Sequence, residues 1–114
     1  MLSRLPFALL LIASAGGLVV ATGARARQDP AAAHTITIDK MAFATAPANL
    51  HVGDTIIWEN HDLFRHTATA DDRGFNVDIA PGRSARTVLV RAGIISFHCT
   101  YHPGMKGTLV IGPA

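Results

Sequence analysis

The chain has 114 residues, a single cysteine and a hydrophobic fraction of 49%, which allows one small domain and leaves no room for a second core. The formal net charge is +2, and it disappears once the N-terminal segment is set aside: ten basic residues less Arg4 and Arg25 leave eight, against eight acidic ones. No run of Lys or Arg is interleaved with aromatics in the way that follows a phosphate backbone, which excludes nucleic-acid binding as a class.

Arg4 opens the chain with positive charge, and Leu5 to Val20 (LPFALLLIASAGGLVV) follow as an apolar run. These are the n-region and h-region of a secretory signal, and Ala24-Arg25-Ala26 offers small residues at the two positions a signal peptidase reads. The expectation is cleavage after Ala26, with residues 1–26 a signal peptide, 27–33 a polar, Ala-rich tether and 34–114 the folded domain. The alternative is an uncleaved membrane anchor. Ser14, Gly16 and Gly17 weaken the run, and it falls short of the roughly 20 apolar residues that span a bilayer. The mature form is therefore expected in the periplasm, without a membrane contact unless the signal is retained.

From His34 onward the apolar pattern has a period of two, as in Thr35-Ile36-Thr37-Ile38, Thr55-Ile56-Ile57-Trp58-Glu59 and Thr87-Val88-Leu89-Val90. Strands are predicted near 34–39, 41–46, 55–60, 66–71, 84–90, 94–99 and 107–112. Turn signals separate them at Val52-Gly53-Asp54, Asp71-Asp72-Arg73-Gly74, Pro81-Gly82-Arg83, Ala92-Gly93 and Pro103-Gly104. No window carries a 3.6-residue apolar stripe over three turns. The pattern predicts an all-β fold, a small antiparallel Greek-key sandwich or barrel, with Trp58 as its core anchor and Met41 in the core beside Phe43.

One cysteine in an exported protein makes no intramolecular disulfide, so its neighbours decide its role. They form Cys99-Thr100-Tyr101-His102-Pro103-Gly104-Met105, a thiol, an imidazole and a thioether spaced C-x-x-H-x-x-M. Pro103-Gly104 turns the chain so that three donors can converge from one loop. A fourth donor is needed from another strand, and His66, which opens His66-Thr67-Ala68-Thr69-Ala70, is the candidate; His61, five residues upstream, can in principle replace it. Two imidazoles and a thiolate with a weak axial thioether describe an electron-transfer copper site. Thiolate and thioether suit Cu(I), and imidazole suits both oxidation states.

These residues resemble the cupredoxins, and the two-residue gap between His102 and Met105 is most similar to the amicyanin type. The resemblance extends over nearly all of His34 to Gly112. It includes Gly53-Asp54-Thr55-Ile56-Ile57-Trp58-Glu59-Asn60, the step from Asn60 to His66, the Pro81-Gly82 turn and the run into Lys106-Gly107-Thr108-Leu109-Val110. It implies one copper ion, Cu(I)/Cu(II), held by His66, Cys99, His102 and Met105, and a monomer. It further implies a hydrogen bond from the Asn60 amide to the backbone around Thr100, and one from the Thr67 amide to the Cys99 sulfur. Redox protein partners would dock where Pro103, Gly104, Leu63 and Phe64 surround His102. Two departures stand out. Arg65 replaces a proline common before the first ligand, and so places a cation beside the copper loop; Phe97-His98 stands where many relatives have two aromatics.

The remaining histidines are expected to be solvated or satisfied: His61 on its loop, His98 on the face opposite Cys99, and His34 and His51 at the surface. Beside the electron carrier stands copper handling, as delivery or resistance, which the extra His61 and His98 keep open. An enzyme with Cys99 as nucleophile and His102 as base lacks an orienting carboxylate. A c-type haem lacks its second cysteine, and structural zinc does not favour a Met donor.

Overall fold

A computed structural model describes residues 11–19 and 30–114; the predicted signal-peptide cleavage after Ala26 and the first three residues of the tether, 27–29, lie outside these residues. The described chain forms β1 (Ala33–Asp39), β2 (Ala42–Phe43), β3 (Leu50–His51), β4 (Thr55–Asn60), β5 (His66–Ala70), β6 (Asn76–Ile79), β7 (Ser84–Val88), β8 (Gly93–His98) and β9 (Lys106–Gly112). The strands make a four-stranded sheet in the order β2-β1-β4-β7 and a five-stranded sheet in the order β3-β9-β8-β5-β6.

Period-two patterning builds the space between the sheets. Ile36 and Ile38 of β1, Ile56 and Trp58 of β4, Ile95 and Phe97 of β8, and Leu109 and Ile111 of β9 are all buried. Trp58 is the predicted anchor: its ring meets Phe97 edge-on at 5.1 Å and Phe43 at 5.9 Å, and its Nε1–H donates to Thr87 Oγ1 at 2.9 Å. Such edge-to-face pairs add to the area each ring buries. Gly107 sits directly across from Phe97 in the β8–β9 ladder, and a Cβ at that position would overlap the Phe97 ring. Glycine is what lets the largest ring of β8 lie flat against β9.

Several expectations change. The sandwich is mixed rather than antiparallel: β1 runs parallel to β4 and β3 parallel to β9, because the chain between β1 and β4 crosses to the second sheet to form β3. Side-chain alternation carries no information about strand direction. β3 and β6 are additional strands, too short or too polar for a periodic signal. The predicted strand at 41–46 contracts to Ala42–Phe43, and Met41 is exposed rather than in the core. Asp39 pairs with Ala42, so Lys40 and Met41 are the two central residues of a tight hairpin, and both have positive φ, 51° and 61°. Mirror-image turns of this kind suit right-twisted hairpins and favour Asn-Gly, so Lys-Met gave no turn signal.

Strand pairing also defines the ends of the sandwich. Ile38 lies beside Asn60, Glu59 beside Ser84, His66 beside Ile79 and His98 beside Lys106. One pole therefore collects the hairpin turn, the β4–β5 and β6–β7 loops and the β8–β9 loop.

Candidate metal centre

Three of the four predicted donors meet at that pole. His66 is the first residue of β5, Cys99 follows the last residue of β8, and His102 lies in the loop before β9. Cys99 Sγ is 3.7 Å from His66 Nδ1 and 3.6 Å from His102 Nδ1, and the three donor atoms all lie within 4.8 Å of one another. Metal bonds to imidazole nitrogen and thiolate sulfur are about 2.0–2.3 Å long, so donors sharing one ion at wide angles sit about 3.5 Å apart. The spacing suits a single ion, and the soft thiolate with two imidazoles suits copper. His66 and Cys99 are fully buried and His102 is half-buried. Among the described residues no other group of three His, Cys, Asp or Glu side chains converges in this way.

Met105 closes the loop through its main chain. Its N–H donates to the carbonyl of His102 at 2.8 Å, and its carbonyl accepts the N–H of Cys99 at 3.0 Å. Its side chain is buried in the same apolar cluster as Cys99.

The outer contacts agree with expectation at one position and differ at another. The amide of Thr67 donates to Cys99 Sγ at 3.3 Å, as the resemblance implied. Asn60 does not reach the backbone around Thr100. Its Nδ2 donates to the carbonyls of Phe64 and Ile79 at 2.7 and 3.0 Å, and its Oδ1 accepts the N–H of Asp62 at 2.9 Å. Both of its amide protons are engaged, bracing the β4–β5 loop and tying it to the end of β6. The link between the two donor loops comes instead from Thr67, whose Oγ1 accepts the N–H of Thr100 at 2.8 Å.

Asp62 had drawn no attention in the sequence, although it stands four residues before His66. Its Oδ2 accepts His66 Nε2–H at 2.8 Å and the N–H of Met41 at 3.0 Å, and its Oδ1 accepts the N–H of Lys40 at 2.8 Å. Burial pushes the Asp62 carboxyl up, but the Met41 amide, the His66 ring and the Lys40 amide outweigh it and hold the group below the usual aspartate value. An ionised carboxylate only accepts, so His66 carries a proton on Nε2, and Nδ1 is the ring nitrogen that faces Cys99.

Other side chains fall into supporting places. Arg65 pairs with Asp78 at 2.9 Å, both half exposed, so its charge is offset locally rather than left free beside the donor loop. His61 contacts Glu59 at 3.3 Å and His98 contacts Asp71 at 2.6 Å, and neither joins the donor group. His34 is half-buried, not at the surface, and its Nε2 lies 3.1 Å from Asp54 Oδ2. Around His102 the surface is apolar: Leu63 is 90% and Phe64 60% exposed, and the Phe64 ring stands 6.4 Å from the His102 ring. Tyr101, 53% exposed, adds to this rim and was not anticipated.

Residues 8–111 match the family model of the cupredoxin-like domain. The chain belongs to the cupredoxin-like family. Its relatives place it on the amicyanin side: it is 30% identical to amicyanin-alpha of Methylorubrum extorquens, over 94% of this chain and 97% of that protein. It is 27% identical to amicyanin of Paracoccus denitrificans, over 67% of this chain and 63% of that one. Among solved structures, a Cu(I) form of an amicyanin mutant superposes with a TM-score of 0.59 at 27% identity, covering 74% of this chain and 84% of that one. A reduced amicyanin mutant superposes with a TM-score of 0.60 at 27% identity, covering 69% and 81%. With its converged His66, Cys99 and His102, this cupredoxin is a single-copper protein of the blue electron-carrier class.

Proposed function

We propose that this cupredoxin binds its copper through His66 Nδ1, Cys99 Sγ, His102 Nδ1 and the Met105 thioether, and moves single electrons between protein partners in the periplasm. The observation that carries the reading is the meeting of three side chains from β5 and the β8–β9 loop at one point. When bound, copper supplies the one-electron couple between Cu(I) and Cu(II). The chain supplies rigidity. Cys99 is tied by the Thr67 amide, the Cys99–Met105 loop is closed by two backbone hydrogen bonds, and His66 is fixed from behind by Asp62. Donors held in place before binding leave little to rearrange when the charge changes.

The half-buried His102 within the exposed surface of Leu63, Phe64 and Tyr101 supports docking of redox partners there. A small apolar contact fits complexes that must separate quickly. Copper delivery is less well supported, since His61 and His98 are engaged elsewhere and the donor pair His66 and Cys99 is sealed from solvent. Export is supported by the Arg4 start, the apolar run and Ala24-Arg25-Ala26, with a mature monomer beginning at Arg27.

The test is the visible spectrum of the protein lacking residues 1–26 after one equivalent of Cu(II), repeated on Cys99→Ser. An intense blue thiolate-to-copper band in the wild type and none in the mutant supports the assignment. A colourless, folded wild type overturns it. Intact mass of the secreted protein checks the cleavage site.

A further inference from the structure

Three donors reach one carboxylate at the copper pole: the Lys40 and Met41 amides at 2.8 and 3.0 Å and His66 Nε2–H at 2.8 Å. Lys40 and Met41 are the central residues of the β1–β2 hairpin and both occupy the left-handed region. That region disfavours side-chain-bearing residues. Both turn amides nevertheless point at the Asp62 oxygens, so the strained turn acts as a two-pronged amide clamp on the carboxylate. Asp62 is itself held by its own N–H on Asn60 Oδ1 at 2.9 Å. The carboxylate thus has a fixed position, set by the first sheet, from which it grips an imidazole of the second.

We propose that Asp62 is the positioning residue of the metal centre: clamped by the Lys40–Met41 turn, it fixes the tautomer and ring orientation of His66 and makes that imidazole a more electron-rich donor. This rests on the copper reading above and concerns what sets the properties of that site. Carboxylates behind metal-bound histidines act in this way, and their removal costs about 10–100-fold in metal affinity. Greater donor strength favours the more highly charged ion, so Asp62 holds the copper toward Cu(II). His102, whose ring belongs to the other loop, has no carboxylate partner among its hydrogen bonds in the described residues. The two imidazoles are therefore not equivalent, and the buried one carries the tuning.

The test uses the mature chain as Asp62→Ala and as a second variant that also carries Lys40→Asn and Met41→Gly. Asn-Gly is the pair that mirror-image turns favour, so the second variant folds its hairpin without help from a carboxylate. Nitrogen NMR of the His66 ring in the metal-free protein reads the tautomer with no copper involved. The expected result is a single Nε2–H form in the wild type and a mixture in both variants. With copper added, both variants retain a blue band, and their relative preference for Cu(I) rises about tenfold or more, a positive shift of at least about 59 mV in midpoint potential. An unchanged tautomer and potential in Asp62→Ala overturns the proposal. Return of the wild-type tautomer and potential in the repaired-turn variant also overturns it, because Asp62 would then serve only the hairpin. Failure of the wild type to form a blue site is a separate outcome: it removes the copper reading, while the metal-free tautomer still decides whether Asp62 orients His66.

Discussion

Thr67 holds the residue after Cys99 from across the sheet: its Oγ1 accepts the N–H of Thr100 at 2.8 Å while its own N–H donates to Cys99 Sγ at 3.3 Å. One residue of β5 thus grips both the sulfur and the start of the loop that bears His102 and Met105. Its hydroxyl also lies 2.9 Å from Thr69 Oγ1 and 3.2 Å from Thr100 Oγ1. The link between donor loops that an amide at Asn60 was expected to make is made here by a hydroxyl.

Thr67→Val separates the two functions of this residue, because valine keeps the shape and the backbone N–H but loses the acceptor. The Thr100 amide is left without its partner, and the expected cost is about 1–3 kcal/mol. Chemical denaturation of the metal-free protein measures it. The blue band of the copper form should persist, since the amide bond to Cys99 remains, while copper loss to a chelator should accelerate. Unchanged stability and unchanged copper loss would show that the hydroxyl holds nothing.

Gly107→Ala tests the close approach of β9 to Phe97. The new methyl group would overlap the ring, and Phe97 is packed against both Trp58 and Phe43, so the ring has no free direction in which to retreat. Overpacking of this kind costs about 1–3 kcal/mol. A lowered melting temperature with altered Trp58 fluorescence is expected, and wild-type values for both would mean that the core yields easily.

The strands with several alternating residues were legible in the sequence, and so was the convergence of Cys99 and His102 with His66, because a thiol, an imidazole and a thioether in seven residues form a chemical pattern that no strand or turn requires. What escaped was held by partners distant in sequence. The Lys40–Met41 turn has no turn chemistry of its own and exists through Asp62, 21 or 22 residues away. Asp62 looked like an ordinary loop acid. His34 looked like a surface residue because nothing local reveals Asp54, and Arg65 looked like a free cation because Asp78 lies on another strand.

Asp54 gives the stability a pH dependence of known sign. It is buried where β1 enters the sheet, and its oxygens accept the N–H groups of Ala32 and His51, at 2.9 and 3.0 Å, beside His34. The Ala32 amide, joined by the His51 amide and the His34 ring, outweighs desolvation and lowers its pKa. A carboxyl depressed on folding contributes stability above its unfolded value, about 4, and loses it as pH falls through the folded value. Asp54→Asn should cost about 1–3 kcal/mol at neutral pH, and the gap from wild type should close progressively below about pH 4. A constant gap down to strong acid would show that Asp54 contributes by shape and not by charge.

The exposed surface around His102 predicts how two copies exchange electrons. Self-exchange between oxidised and reduced protein, measured by NMR line broadening, requires no unidentified partner and brings two identical faces together. Phe64, 60% exposed at 6.4 Å from the His102 ring, lies in that contact if His102 is the exit. Phe64→Glu places like charges opposite one another and removes apolar area, so self-exchange should slow by about tenfold or more at low salt, and added salt should recover part of the loss. Val110→Glu serves as the comparison: Val110 is equally open to solvent, at 65%, but lies toward the far end of β9, opposite Ile94. A loss confined to Phe64→Glu supports the His102 route, whereas equal slowing by both, or slowing by Val110→Glu alone, would move the electron exit away from this pole.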